Sequence, residues 1–207
     1  TEIIEGLIKT FGEDKIIPVA VHCGAYGFAG NAKYVGLMTN ESKAYGEKIG
    51  PPPYQPIGLV NRVGGLKQHE IWVVDAMTEL QKTSSIKISP ELTYDASTQT
   101  LKVTVEVAAN DETKGNLQLL LTEDNITAIQ KKSDGSADKD YVHNHVFRAT
   151  INGIGGDAVT IPAGNKIQKT YTYQIPADYK PENCTVVMFV YDSTCVLQAA
   201  KTKVVKN

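Results

Sequence analysis

The feature that most constrains the fold of this chain is an alternation of apolar and polar residues that dominates its second half. In the stretch "LKVTVEV" the apolar side chains fall on one face of a strand and the polar side chains on the other. The stretches "IQKTYTYQI", "CTVVMFVYD" and "CVLQAAKTKVV" follow, separated by Asp, Asn, Gly, Ser and Pro. Seven or eight strands within roughly 120 residues predict an antiparallel, immunoglobulin-like β-sandwich. The apolar face of the first stretch consists of Leu101, Val103, Val105 and Val107.

The N-terminal part of the chain has a different pattern, in which helical and extended stretches alternate. Apolar residues recur at helical spacing from Ile3 to Phe11, and Gly12 follows as a stop signal. The run "KIIPVAVHCG" predicts a short strand buried on both faces, and "IGLVNRVGGLK" predicts a strand followed by a turn. A helix is also predicted near residues 40–48. A third helix is predicted in "HEIWVVDAMTELQK", where the apolar stripe consists of Val73, Met77 and Leu80.

These two patterns predict an α+β protein of two domains. An α/β domain would cover residues 1–83 and an antiparallel β-sandwich residues 84–207, with the boundary in "QKTSS". The 21 Lys and Arg residues nearly balance 23 Asp and Glu residues, and no basic block occurs, so we expect no nucleic-acid partner. No apolar run approaches the roughly 18–20 residues that cross a bilayer.

The three cysteines do not make a disulfide framework. Cys184 and Cys195 flank a strand and a turn at positions that do not face each other, so we expect no bridge between them. His22 and Cys23 are neighbours on a predicted strand and would point to opposite faces, which excludes a dyad between them. We therefore assign no catalytic residue.

The stretch "YVHNHVFRA" is the first candidate for a metal site, because it contains two of the four histidines. Read as one strand, it places His143 and His145 on the same face as Tyr141 and Phe147. A metal site would need further ligands on neighbouring strands, and the other two histidines lie in the first half. We expect no metal here, and we expect at least one imidazole to be hydrogen-bonded.

Two other motifs fail as cofactor sites. The glycines of "GAYGFAG" do not have the spacing of a dinucleotide-binding loop, and "DGSADKD" lacks the Gly and the closing Glu of a calcium loop. We therefore expect no cofactor.

Several stretches together resemble the outer membrane protein 28 family of exported bacterial lipoproteins. They are "TEIIEGLIKTFGEDK", "IIPVAVHCG", "YQPIGLVNR", "TEDNITAIQ", "YVHNHVFRA" and "VVMFVYDSTCVLQA", and they extend over nearly the whole chain. The most specific is "YVHNHVFRA", which the resemblance makes a signature strand of unknown chemistry. Its candidate residues are Tyr141, His143, His145 and Arg148.

The resemblance implies a thioredoxin-like domain followed by the sandwich. It implies a cis peptide bond before Pro56, and a C-x-x-C segment before the first helix that this chain lacks. A truncated thioredoxin-like domain without its first strands is therefore expected over residues 1–83. The resemblance also implies export to the outer membrane or cell surface, with membrane contact only through a lipid anchor that is absent from this chain.

Three functions remain open on these grounds. The first is a binding or structural lipoprotein of the cell envelope, without enzymatic activity, whose partner would be another envelope protein. The second is a module derived from a thiol–disulfide oxidoreductase, with active-site cysteines upstream of this chain. The third and weakest is a metal-dependent hydrolase that uses His143 and His145.

Overall fold

The α-helices of the computed structural model, which describes residues 2–132 and 134–205, all lie in the first 80 residues. Two very short strands pair antiparallel between the second and third helix, and a 3-10 turn precedes the third helix. The helix predicted near residues 40–48 is confirmed, and a reciprocal capping box between Thr39 and Ser42 begins it. The elements are α1 (Glu2–Phe11), α2 (Asn40–Ile49), β1 (Ile57–Gly58), β2 (Lys67–Gln68) and α3 (Trp72–Glu79).

From residue 86 onward the described chain is almost entirely β-structure. The first strands are β3 (Ile86–Asp95), β4 (Thr100–Ala109), β5 (Thr113–Glu123), β6 (Ile126–Lys131) and β7 (Ala137–His143). They are followed by β8 (Val146–Thr150), β9 (Asp157–Ile161), β10 (Asn165–Gln174), β11 (Cys184–Tyr191) and β12 (Val196–Lys203).

The strands form two larger antiparallel sheets and one separate hairpin. The smaller sheet has the order β10-β4-β3, and the larger has the order β12-β11-β5-β8, with β9 also paired to β5. Strands β6 and β7 pair with each other as the hairpin. With 17% helix and 43% strand, the protein is α+β with mostly antiparallel sheets, as predicted.

The main core lies between the two larger sheets. It is formed by the apolar side chains of the alternating stretches in the sequence. The four apolar residues of "LKVTVEV" are fully buried there, and they meet Leu119, Leu121 and Met188 of the facing sheet. Side chains of successive strand residues point to opposite faces, so Leu120 and Val187 must point away from this core. They are nevertheless buried, at 1% and 4% exposure. The larger sheet is therefore covered on both faces.

A second apolar core covers the outer face of the larger sheet. Side chains of the N-terminal half, from α2 and from residues 17–21, pack there against the sheet. This explains why "CTVVMFVYD" is apolar at nearly every position instead of alternating. The buried members of the second core are Tyr45, Leu120, Phe147, Val187 and Phe189.

The prediction of a buried strand in "KIIPVAVHCG" is wrong. This segment is extended but pairs at one residue only, Ala20, which forms a parallel bridge with Val146 at the edge of the larger sheet. The Ala20 N–H donates to the His145 carbonyl at 2.7 Å, and the Phe147 N–H donates to the Ala20 carbonyl at 3.0 Å. The flanking apolar side chains are half-buried against the second core, which accounts for the apolar run without a full strand.

Two other predictions for the N-terminal half are correct only in part. In "IGLVNRVGGLK" the predicted strand is limited to Ile57 and Gly58, because the chain then turns through Asn61 and Arg62, which have left-handed φ angles of 47° and 59°. The last residue of the stretch, Lys67, begins β2. The helix α3 exists, but its predicted stripe does not face a core. Val73 and Met77 are 38% and 48% exposed, whereas Ala76 is buried.

Candidate functional site

The stretch "YVHNHVFRA" is not one strand but a strand, a turn and a second strand. Strand β7 ends at His143 and β8 begins at Val146, and His145 between them has a left-handed φ of 58°. The Asp124 carboxylate accepts the His145 N–H at 2.7 Å and so anchors the turn. A left-handed residue interrupts the alternation of a strand, so the prediction that His143 and His145 share a face is wrong.

His143 lies in a row of three rings that crosses from the hairpin to the N-terminal half. The Tyr141 and His143 ring centroids are 4.7 Å apart, and those of His143 and His22 are 5.3 Å apart, both edge to face. His143 is only 6% exposed. Burial lowers the pKa of His22 to about 4 and also lowers the pKa of His143, so both imidazoles are neutral at pH 7.

His145 has a different environment. Its Nδ1 lies 3.3 Å from an oxygen of Asp124, and its backbone carbonyl accepts the Ala20 N–H. Burial lowers the pKa of His145, while the Asp124 carboxylate acts in the opposite direction. The two histidines of the stretch therefore serve different contacts.

Arg148 occupies a buried, charged position beside the loop before β11. Its Nε lies 3.2 Å from Glu123 Oε2 as an ion pair, although this buried nitrogen makes no hydrogen bond of good geometry. Its guanidinium stacks on the Tyr179 ring at 3.9 Å. Burial raises the pKa of the Glu123 carboxyl, even though the Lys180 N–H and the Arg148 charge act to lower it.

The remaining residues of this region attach helix α2 to strand β8. The Tyr45 ring stacks on Phe147 with centroids 4.9 Å apart. The Glu41 carboxylate accepts the Thr150 N–H at 2.6 Å and also accepts the Thr150 hydroxyl. Together with the ring row and the Ala20 bridge, these contacts define a junction where residues 141–150 hold the N-terminal half against the larger sheet. Nothing in the sequence pattern singled out Glu41 or Tyr45.

Pro56 lies in the segment between α2 and β1. The Gln55–Pro56 peptide bond is cis, in agreement with the expectation. The Gln55 side chain holds the loop that follows the Ala20 segment: its Nε2 donates to the Cys23 carbonyl at 2.6 Å, and its Oε1 accepts the Tyr26 N–H at 3.0 Å.

The cysteines are free, and two of them are buried. Cys23 packs so closely on α2 that a Cβ at Gly46 would lie 2.5 Å from its Sγ, which accounts for a glycine inside a helix. Burial raises the pKa of the Cys23 thiol, with a further contribution from the Glu47 carboxylate. Burial raises the pKa of Cys184 to about 12. These two thiols are poor nucleophiles at neutral pH.

Within residues 2–132 and 134–205, no three His, Cys, Asp or Glu side chains are grouped closely enough to hold a metal ion. In the same part of the chain, no helix has the length and apolar content needed to cross a bilayer.

Helix α3 carries a concentration of exposed apolar side chains. One side of the helix is packed, because Ala76 is buried and the Trp72 indole lies against Gly58 and donates to the Lys67 carbonyl at 3.1 Å. The opposite side faces solvent and, with the preceding 3-10 turn, forms what we call the α3 face. It consists of Ile71 at 45% exposure, Val73 at 38%, Val74 at 62% and Met77 at 48%.

The fold and the junction define an α+β protein in which an N-terminal helical half is attached to the outer face of an antiparallel sheet. The sequence profile described as "Outer membrane protein Omp28" matches residues 43–207, and the chain belongs to this family. The resemblance stated from the sequence is thereby confirmed, and the family places the protein in the outer membrane of the cell envelope.

Solved structures give two further comparisons. HBP35 of Porphyromonas gingivalis is 17% identical, with 77% of this chain and 55% of that chain covered and a TM-score of 0.63. This chain thus spans about half the length of HBP35. A domain of the outer membrane lipoprotein Omp28 from P. gingivalis is 27% identical, with 58% of this chain and 96% of that domain covered and a TM-score of 0.43. A comparison with curated proteins gave no match.

Proposed function

We propose that this protein is an outer-membrane lipoprotein without enzymatic activity that binds another protein of the cell envelope through the α3 face. The observation that carries this proposal is the exposure of four large apolar side chains on one short stretch of chain. Soluble surfaces rarely keep apolar side chains together unless they meet a partner. The family membership supplies the location and supports the lipid anchor.

A protein partner fits the surface better than a small molecule does. A depression of about 370 Å³ at the ends of β4 and β10 is open to solvent, and Lys166 is the single ionisable group among its lining residues. Sites for small molecules are usually enclosed and carry several convergent polar groups. The α3 face instead offers a convex apolar helix surface, which is typical of protein–protein contacts.

The thiols argue against redox chemistry by this chain. Disulfide exchange needs an accessible thiolate with a second thiol close by. Cys23 is 7% exposed with a raised pKa, and Cys184 is fully buried. These two cysteines therefore give no support to a module derived from an oxidoreductase.

The proposal extends to the finer fold. Residues 1–83 would be a thioredoxin-like unit and residues 84–207 an immunoglobulin-like sandwich. The confinement of the α-helices to the first 80 residues supports this division, as does the main core between the two larger sheets.

Site-specific photo-crosslinking in cells tests the binding proposal. A photoreactive residue in place of Val74 of the full-length protein should give one discrete, heavier adduct that mass spectrometry identifies as an envelope protein. The matched control carries the same residue at Thr172, which is exposed on the polar face of the smaller sheet and should give no such adduct. Adducts with lipid alone, within the same chain, or equally from both positions would contradict the proposal.

An insulin-reduction assay tests the absence of redox activity. The purified chain should reduce insulin no faster than buffer, because Cys23 and Cys184 are buried with raised pKa values. Turnover well above buffer that Cys23→Ser abolishes would show that the N-terminal half is a working oxidoreductase.

A further inference from the structure

A half-buried histidine and a buried histidine face each other across the junction. His22 belongs to the N-terminal half and His143 ends strand β7, and their rings meet edge to face with centroids 5.3 Å apart. Each ring keeps one buried nitrogen without a hydrogen-bond partner, Nδ1 in His22 and Nε2 in His143. Buried polar atoms are normally paired, so this pair is an exception that calls for a physical reason.

Within the part of the chain that the structure describes, no negatively charged side chain compensates a charge on this pair. His143 and the Arg148 guanidinium both act on His22 in the direction that opposes protonation, and the Ala20 backbone is the one group that favours it. His143 is favoured in its charged form by the Ala128 backbone alone, and its other ring neighbour is Tyr141. Thus no carboxylate of the described residues stabilises charge on either imidazole.

The pair lies beside the backbone contact that attaches the N-terminal half to β8. Ala20 is two residues before His22 and exchanges backbone hydrogen bonds with His145 and Phe147. The His22 carbonyl accepts the Ser42 hydroxyl at 2.7 Å, which ties the same segment to the start of α2. A force that separates the two rings therefore acts directly on the Ala20 bridge.

We propose that His22 and His143 form an acid-sensitive latch, in which protonation places uncompensated positive charge in the junction and releases the Ala20 segment from β8. The inference does not depend on the partner proposed above. At neutral pH the two uncharged rings pack together and the latch is closed. Histidine is the side chain suited to this role, because its charge changes near physiological pH.

The direction of the pH dependence follows from the lowered pKa values. Burial lowers the pKa of His22 from 6.5 to about 4 in the closed junction, so the open form binds protons more strongly. The contribution of His22 to the stability of the closed form is complete above pH 6.5, is lost as the pH falls from 6.5 to about 4, and changes no further below that. A shift of this size in one group corresponds to a change of roughly 300-fold in the opening equilibrium.

Hydrogen–deuterium exchange at a series of pH values from 7.5 to 4 tests the latch, after correction for intrinsic exchange rates. Protection of the Ala20 and Phe147 amides should fall by about 100-fold or more over this range. Protection of the β4 amides should stay unchanged, which distinguishes opening of the junction from global acid unfolding.

Variants make the test specific. The His22→Gln, His143→Gln double variant should lose far less protection at Ala20 and Phe147 by pH 4 than the wild type, because glutamine does not titrate and His145 is the one junction histidine that remains. His69→Gln should behave like the wild type, because His69 lies in the 3-10 turn before α3 and its side chain is 43% exposed. The single variant His22→Gln serves if the double variant does not fold. The latch is excluded if wild-type protection at these amides does not change with pH, or if protection in His22→Gln falls as much as in the wild type.

Discussion

Replacing Phe147 with alanine should lower the free energy of unfolding by about 3–5 kcal/mol. Phe147 is fully buried, stacks on Tyr45, and belongs to the core between the N-terminal half and the larger sheet. The substitution removes apolar contact on both sides of the junction and leaves a cavity that a rigid sheet closes only in part.

Urea denaturation with two probes measures this loss. Trp72 is the single tryptophan and lies in the N-terminal half, so its fluorescence reports that half, while circular dichroism reports mainly the strands. Phe28→Ala is the matched control, since Phe28 is 36% exposed and its loss should cost less than about 1 kcal/mol. If Phe147→Ala costs no more than Phe28→Ala, the packing of Phe147 on Tyr45 does not stabilise the attachment of the N-terminal half to the larger sheet.

Replacing Arg148 with methionine should cost about 3 kcal/mol at pH 7. The change leaves the Glu123 carboxylate, which is 4% exposed, without its cationic partner. Burial already raises the pKa of Glu123, and without Arg148 its charged form is less favourable still. The penalty is present where the unfolded carboxyl is ionised, above pH 4.5, and should shrink as the pH falls toward that value.

A double-mutant cycle separates the pair from simple loss of packing. Arg148→Met with Glu123→Gln should recover much of the stability, because the buried charge is then gone. Lys114→Ala removes half of an exposed ion pair with Glu112 and should leave the stability almost unchanged. Equal losses for the single and double variants at pH 5 and pH 7 would mean that the Arg148 side chain matters for its packing only.

The sequence predicted well what depends on a regular repeat. The inward residues of β4 alternate without interruption, so both the strand and its buried face could be read directly. Helix α2 was also predicted within a residue or two, and in the structure a capping box of Thr39 and Ser42 begins it. The family resemblance also extended over the part that the family profile matches.

The sequence could not predict which faces would be covered. The apolar run around Val19 is equally compatible with a central strand and with an extended segment lying on a core, and only the fold decides between them. The exposed face of α3 has apolar residues at helical spacing, as a packed face would, so the sequence alone could not show that this face is exposed to solvent. At His145 a single left-handed residue changed a strand into a turn, and no repeat signals such a residue in advance.

The junction determines where the chain can be truncated without exposing the apolar outer face of the larger sheet. The change of pattern near residue 84 invites a cut at that point, yet a fragment that begins there would present the outer side chains of β5 and β11, among them Leu120 and Phe189, to water. Strands with a bare apolar face tend to associate. A module that contains the C-terminal strands should therefore also include α2 and the Ala20 segment. The side chains of that preceding chain cover the outer apolar face of the strands.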